Sequence, residues 1–475
     1  VSRLDEITRR AFLRRSSELA VMGGGASFAM TMSSIAHAAS NEDYRALVCI
    51  FLNGGNDHAN TLIPYDSANY ALYSTIRGGG PGQTAGGIAR ARADLQNSVL
   101  LPSGGQTLTD GITYALAPEM PLMKARFDAG QLAMMLNVGP LIVPLTRQQY
   151  QSQDRASFPL PPRLFSHNDQ QSVWQSLSPE GSTIGWGGRL GDIAQTANSN
   201  VLFTCISATG NAVFLSGDRT LQYQISNSGA IAVSAIKSST TYGSSAVSGA
   251  LRQIMTRTGG HLFEAEYNAV AKRSIDAEAV VATALQPIAL QTSFVPPPGT
   301  GTNTLANQLL IVARMIAARQ ALGAKRQVFF VSMGGFDHHD NLIAGHATLL
   351  SRIDFAMDAF YRATVELGVA ENVTAFTASD FGRTLSSNGD GSDHGWGAHH
   401  FIMGGAVQGG RFYGTAPRVS ITSDDQVGQG RLLPTTSVDQ YAGTLARWFG
   451  VSASDISTIL PNIGRFASRD LGFLG

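Results

Sequence analysis

The sequence predicts an α/β fold, a doubly wound α/β/α sandwich carrying cap insertions. Three observations lead there. The runs ALVCIFL (46–52) and QVFFVSM (327–333) are continuously apolar, as in strands covered on both faces. Amphipathic helical patterns are clearest over Thr304–Leu322, Gly345–Leu367 and Val438–Phe449. Strand and helix patterns alternate along the 475 residues instead of segregating.

Strands are expected at Arg45–Asn53, Leu132–Gly139, Val201–Ser207, Gln327–Met333, Val373–Ala378 and Phe401–Gly404, where short β-rich apolar runs stop at glycine or polar residues. In the helix opening at Thr304, residues Leu305, Leu309, Val312, Met315 and Ile316 recur at helical spacing, and Gly323 ends it. Pro296-Pro297-Pro298-Gly299 is a stiff lead into that helix. A longer helical pattern, about Ala246–Leu285, is interrupted at Gly259-Gly260. Residues 77–112 are glycine-rich, with a hairpin near Val99–Leu101, and residues 208–246 are rich in Ser, Thr and Gly. Both read as insertions over the carboxyl edge of the sheet, where open α/β sheets place ligands.

Charge narrows the function. Lys plus Arg and Asp plus Glu number 34 each, and charged residues are only 14% of the chain. A nucleic-acid binder needs clustered cations to displace counterions, so that class is excluded. Cys49 and Cys205 both lie in apolar runs and are expected as two unpaired core thiols, not a disulfide framework.

Residues 1–38 read as a processing segment. Arg9 and Arg10 stand in TRRAFLRR, a charge-free, glycine-containing stretch runs from Leu19 to Ala36, and Ala36-His37-Ala38 offers a cleavage site. This is similar to a twin-arginine signal, which implies export in the folded state to the periplasm or cell exterior. The stretch is too short and too rich in glycine to span a bilayer, so an integral membrane protein is not expected. The domain proper is expected over 39–475.

Chemistry concentrates late in the chain. Six of the nine histidines beyond residue 38 lie between 338 and 400: His338, His339, His346, His394, His399 and His400. Asp337, Asp340, Asp380, Asp390 and Asp393 accompany them. Mixed imidazole and carboxylate clusters suit zinc, manganese or iron. Asp57, Asp337 and Asp380 each follow an expected strand, so three strand ends bring an acid to one rim of the sheet, and glycines let the His394 loop fold back over it. Plain structural roles compete: Asp57 as a helix cap, Ser166 as a cap for a helix beginning at His167, and His346 on an amphipathic helix. At most one of the adjacent His399 and His400 is expected to face the site. Ser166 at a helix start is also the candidate nucleophile, with His167 as a ligand or proton carrier. Arg383 is the candidate clamp for phosphate or sulfate oxygens.

The order GGND, NTLIPYD, FSHNDQQSVW, GWGGRLGD, GGFDHHDN, SDFGRT, DHGWGAHHFIMGG and GRLLPTTSVDQYAGTLARWFG resembles the exported bacterial family known only as domain of unknown function 1501. That family is grouped with the alkaline phosphatase and sulfatase superfamily, so the resemblance implies an alkaline-phosphatase-like fold with a metal-dependent site. Carried over motif by motif, the metal ligands would be Asp57, Asp337 with His339, Asp380 and His394, with Asp393 and His399 or His400 as further members. The sequence departs from the family with Asn53 in place of Arg, His58 in place of Gly, and Asp380 where Glu is common. Neither cysteine lies in a Cys-x-Pro-x-Arg context, which counts against a formylglycine sulfatase.

The implied function is an exported hydrolase of phosphate or sulfate esters using one or two divalent ions. Zinc, manganese and calcium lead, and iron and copper stay open. The alternatives are a non-catalytic, metal-stabilised protein acting with a second exported protein, and a redox metalloenzyme. The implied partner is a small anionic ester or that second protein.

Overall fold

The computed structural model describes residues 44–78, 87–258 and 260–475. Strand β1 (Arg45–Leu52) is the apolar run near the start, and every residue after Arg45 is buried. A single helical turn at His58–Thr61 follows, then β2 (Leu62–Pro64), α1 (Ser67–Arg77), β3 (Tyr114–Leu116), α2 (Pro121–Asp128) and β4 (Leu132–Gly139). Helices α3 (His167–Ser176) and α4 (Trp186–Ala194) lead to β5 (Cys205–Ser207), β6 (Tyr223–Ser226) and β7 (Gly229–Ala230). Next come α5 (Ser245–Thr256), α6 (Leu262–Leu285), α7 (Thr304–Ala317), β8 (Arg326–Met333), α8 (Leu342–Glu366), β9 (Val373–Ser379) and β10 (Ala398–Gly404). Strands β11 (Arg411–Tyr413) and β12 (Thr436–Ser437) then precede α9 (Val438–Phe449).

Among the described residues ten strands form one mixed sheet, ordered β11-β4-β10-β9-β1-β8-β5-β6-β7, with β12 also on β4. Strands β9, β1, β8, β5 and β6 run parallel. Their carboxyl ends therefore share a rim, where Leu52 stands level with Met333 and Ser379. Strand β10 is antiparallel to both β9 and β4, so it begins at that same rim. The connection 380–397 must return across the edge where the parallel strands end.

Side chains alternate across the sheet. On one face Leu47, Cys49 and Phe51 pack with Phe330, Phe376, Trp174, Trp186, Leu190, Tyr441 and Leu445. Val48 and Ile50, pointing the other way, are equally buried, and on that side α7 packs on β8 and on α8. Truncating a core aromatic such as Phe51 to alanine would cost about 3–5 kcal/mol. Helix α9 starts at a reciprocal Ser437–Gln440 capping box.

The α/β class holds, and the differences are local. Val201–Phe203 winds as a 3-10 turn, leaving only Cys205–Ser207 as strand; an apolar run buries equally well in either form. Val99 makes an isolated bridge to Ala115 instead of a hairpin of its own. The 208–246 segment contributes β6 and β7, which extend the sheet sideways at its edge. Cys49 and Cys205 are both buried and unpaired. The expected leader, 1–38, and residues 79–86 of the first insertion lie outside the described residues. Among the described residues no helix is long and apolar enough to cross a membrane.

Candidate metal centre

Four segments meet at the rim. Beyond β8, the turn 334–336 brings Asp337 and His339; Asp380 is the first residue after β9; the returning loop carries Asp393 and His394; α3 opens with His167. Two left-handed residues, Arg163 (φ 38°) and Phe165 (φ 75°), precede His167. Such backbone costs about 1–2 kcal/mol per non-glycine residue. It is held by Gln170 Nε2, which donates to Pro162 O at 2.8 Å, and by His394 Nδ1, which lies 2.7 Å from Phe165 O.

Each imidazole in the cluster has Nδ1 directed at an oxygen. His167 Nδ1 is 2.6 Å from Asp380 Oδ2, and His339 Nδ1 is 3.3 Å from Asp393 Oδ1. A backbone carbonyl only accepts, so His394 carries its proton on Nδ1, toward Phe165 O. Asp380 Oδ2 also receives Gln171 Nε2 at 2.8 Å and Gly54 N at 3.2 Å, so it acts as an acceptor and puts the His167 proton on Nδ1. The Nε2 atoms of the neutral rings are then bare, and they converge. His394 Nε2 is 3.1 Å from His167 Nε2 and 3.0 Å from His339 Nε2. Asp337 closes the group, its oxygens 3.4 Å from His167, 3.1 Å from His339 and 3.2 Å from His394.

Lone pairs facing lone pairs repel unless a proton or a metal ion lies between them. Donors about 2.0–2.2 Å from a tetrahedral zinc stand about 3.3–3.6 Å from each other, close to the 3.0–3.4 Å seen here. Among the described residues His167, Asp337 and His394 form a group able to hold an ion, each offering a ligand atom within 4.8 Å of the others, and His339 adds a fourth donor at the exposed side. Imidazoles oriented by a carboxylate or carbonyl at the far nitrogen are the usual outer shell of a metal site. Asp380 Oδ1 is buried without a hydrogen-bond partner, a further carboxylate oxygen with no proton donor. The residues fit a divalent ion.

The charges respond to this packing. Hydrogen bonding to Asp380 raises the pKa of His167 despite partial burial, whereas burial lowers that of His394. Burial would raise the Asp337 carboxyl, but hydrogen bonding and attraction from Arg383 hold it below the ordinary range. Gly54 has φ 116°, and a Cβ there would sit 2.5 Å from Asp337 N, so the turn after β1 admits only glycine.

Five expected site residues take other places. Asp57 does not join the converging atoms: it accepts from Asn60 N at 2.9 Å as a helix cap, from Arg77 Nη2 at 2.7 Å and from Ser392 Oγ at 2.8 Å. Arg383 is no clamp for an incoming oxyanion, since it is fully buried and donates to Asp337 Oδ1 at 2.6 Å, Gly54 O at 3.2 Å and Ser392 O. His399 is buried against His58 and accepts from Asn137 N at 3.1 Å. His400 packs on Trp174, and His346 bonds Asn56 Oδ1. Asp393 and Asp380 stand behind the converging atoms, orienting His339 and His167. Ser166 lies between two residues that touch the cluster, and its hydroxyl donates to Asp169 Oδ2 at 2.8 Å.

Gln171, Ser392 and Arg77 were not legible as site residues. Gln171 follows His167 by four positions, one helical turn, so the helix reading of HNDQQSVW could have placed it beside the histidine. Ser392 and Arg77 have no comparable spacing; only the fold brings them near.

No curated protein matches the sequence. Among solved structures, the chain is similar to Ps i-CgsB in complex with k-i-k-neocarrahexaose, at 8% identity and TM-score 0.37, covering 90% of this chain and 77% of that one. It is also similar to the PsFucS1 sulfatase from Pseudoalteromonas sp., at 10% identity and TM-score 0.34 over 91% and 73% of the two chains. The lipoteichoic acid synthase LtaP from Listeria monocytogenes matches at 9% identity and TM-score 0.31, over 86% and 72%. From the sheet through α9, residues 44–460 match one family model, and the chain belongs to that family, described as Protein of unknown function (DUF1501).

Proposed function

We propose that the chain is a metal-dependent hydrolase of phosphate or sulfate esters, built around one divalent ion. The observation that carries this reading is the convergence of bare Nε2 atoms from His167 and His394 on the Asp337 carboxylate, each ring tethered at Nδ1. His167, Asp337 and His394 would hold the ion, with His339 at the exposed fourth position. An imidazole-rich set favours zinc or iron over calcium. When bound, such an ion supplies Lewis-acid stabilisation and a more acidic bound water.

The chain's own residues prepare that chemistry. Asp380 holds the His167 proton on Nδ1, Asp393 turns His339, and Arg383 sets the Asp337 carboxylate from below. Ser166 is the candidate nucleophile, and its hydroxyl donates to Asp169 Oδ2 at 2.8 Å. The ester substrate class and a second exported protein as partner come from the motif resemblance, and export by the twin-arginine route comes from the Arg9-Arg10 pair and the stretch after it.

A second reading rests on His339. Its Nε2 lies within 3.2 Å of both Asp337 and His394, so the protein offers four donors, and closed four-donor sites are structural. Zinc-loaded protein assayed on aryl phosphates and aryl sulfates separates the two. Hydrolysis that disappears with chelation supports the enzyme. Tight zinc without hydrolysis of either ester supports the structural site.

A further inference from the structure

Asp57 is the acid that motif transfer places on the metal, yet the structure gives it other work. Both its oxygens are occupied, and at 1% exposure it is paired with the fully buried Arg77. We propose that Asp57 and Arg77 form a buried positioning pair that fixes the 383–394 loop through Ser392, and with it Asp337 and His394, so that the site takes a single ion.

The connection runs through named bonds. Arg77 Nη2 donates to Asp57 Oδ2, and Arg77 Nη1 reaches the carbonyls of Thr384 and Leu385, each at 3.3 Å. At the other end of the loop, Ser392 Oγ donates to Asp57 Oδ2 at 2.8 Å. One ion pair therefore grips both ends of the segment. The neck closes beside it, with Thr384 N donating to Asp393 O at 2.9 Å and Asp393 N to Thr384 Oγ1 at 3.0 Å. Arg383 binds the Ser392 carbonyl, and its Nε approaches Ser392 Oγ at 3.4 Å; its Nη1 donates to Asp337 Oδ1. Arg77, Asp57, Ser392, Arg383 and Asp337 thus form one polar chain, buried from Arg77 to Arg383, that ends on a candidate ligand.

The charge balance fits a single ion. An unpaired buried carboxylate would cost several kcal/mol, and the Arg77 guanidinium supplies the positive charge that a second cation would otherwise bring. Asp57 keeps no free oxygen for one.

The inference rests on the metal-site reading for its first readout. Full-length protein dialysed against chelator is titrated with zinc by calorimetry, as wild type and as Asp57→Asn and Ser392→Ala. The side-chain carbonyl introduced by Asp57→Asn can still cap the turn at Asn60 N, and Ser392→Ala leaves the Asp57–Arg77 ion pair intact, so the second variant tests the loop without stranding a buried charge. We expect one zinc per wild-type chain, and in both variants still one zinc bound 10- to 100-fold more weakly, as for outer-shell changes generally. Two zincs falling to one in Asp57→Asn would overturn the inference, as would affinities within twofold of wild type. The second readout needs no metal: histidine 15N spectra of the chelated proteins. A shifted His394 ring in Ser392→Ala and Arg77→Lys supports positioning, and unchanged ring signals defeat it. Wild type that binds no zinc sinks the metal-site reading, and the ring spectra then decide this one.

Discussion

His167 and His394 approach with their Nε2 atoms 3.1 Å apart, and neither nitrogen has a hydrogen to offer the other while both rings are neutral. The protons sit at the far nitrogens, toward Asp380 and the Phe165 carbonyl. A cation between them turns this repulsion into attraction. Zinc added to chelated protein should therefore raise the thermal midpoint, with about 2.7 kcal/mol of stabilisation at a hundredfold excess over Kd. The gain should shrink as pH falls toward and below 6.5, because binding must displace the proton that Asp380 encourages on His167. Differential scanning calorimetry across pH 5.5–8 checks both, and a midpoint indifferent to zinc at all pH values would exclude zinc from the site.

The Asp57–Arg77 pair makes a prediction about stability alone. Burial would raise the Asp57 carboxyl, but Arg77, His346 and His58 together hold it well below the ordinary range. Removing one member strands the other in a dry site, at a cost of about 3–5 kcal/mol. Arg77→Met should show that loss in urea unfolding. The double variant Arg77→Met/Asp57→Asn should be more stable than Arg77→Met, since no charge is left unpaired. Additive losses would mean that the pair is screened by water.

Much of this site was legible in the sequence, for a physical reason. Strand ends are read from where apolar runs stop, and Asp337 and Asp380 inherit their place at the rim from β8 and β9. The glycines around His394 permit the loop to return, and β10, running antiparallel, makes it do so. The roles of Asp57 and Arg383 were not legible, because an acid after a strand looks the same whether its partner is a metal or an arginine. That choice was made by Arg77, 20 residues on, at the end of a helix whose packing the sequence does not encode locally. The same holds for His399, which shares its strand with the core and faces His58 across it.

Asp354 carries a pH dependence outside the site. On α8, it accepts Met123 N at 2.7 Å and Leu122 N at 3.2 Å, capping α2, which begins with proline and lacks a side-chain cap of its own. Burial outweighs those bonds and pushes its pKa up to about 7, from 3.8. The folded state thus holds a proton that the unfolded state releases. The contribution is complete below pH 4 and is lost as pH rises toward 7, by about 1.4 kcal/mol per unit. Asp354→Asn keeps an acceptor and does not titrate. The stability of wild type relative to this variant should fall by about 3 kcal/mol between pH 4 and pH 7 in urea unfolding. A constant difference would show Asp354 ionised throughout.

Ser166 decides between an attacking side chain and an attacking water. Its hydroxyl points at Asp169, which is almost fully buried, and not at the backbone of α3, so it does not act as the side-chain cap of that helix. Ser166→Ala should therefore leave zinc affinity within about threefold and stability within about 1 kcal/mol, the worth of one hydrogen bond. If the hydroxyl attacks the ester, kcat on an aryl phosphate falls by at least about a hundredfold, as for loss of a positioned proton-transfer partner. Asp169→Asn should lower kcat in parallel, because the amide cannot take the proton. Unchanged kcat in Ser166→Ala would assign the attack to water, and leave Ser166 and Asp169 as the pair that holds the strained Arg163–Phe165 turn against His394.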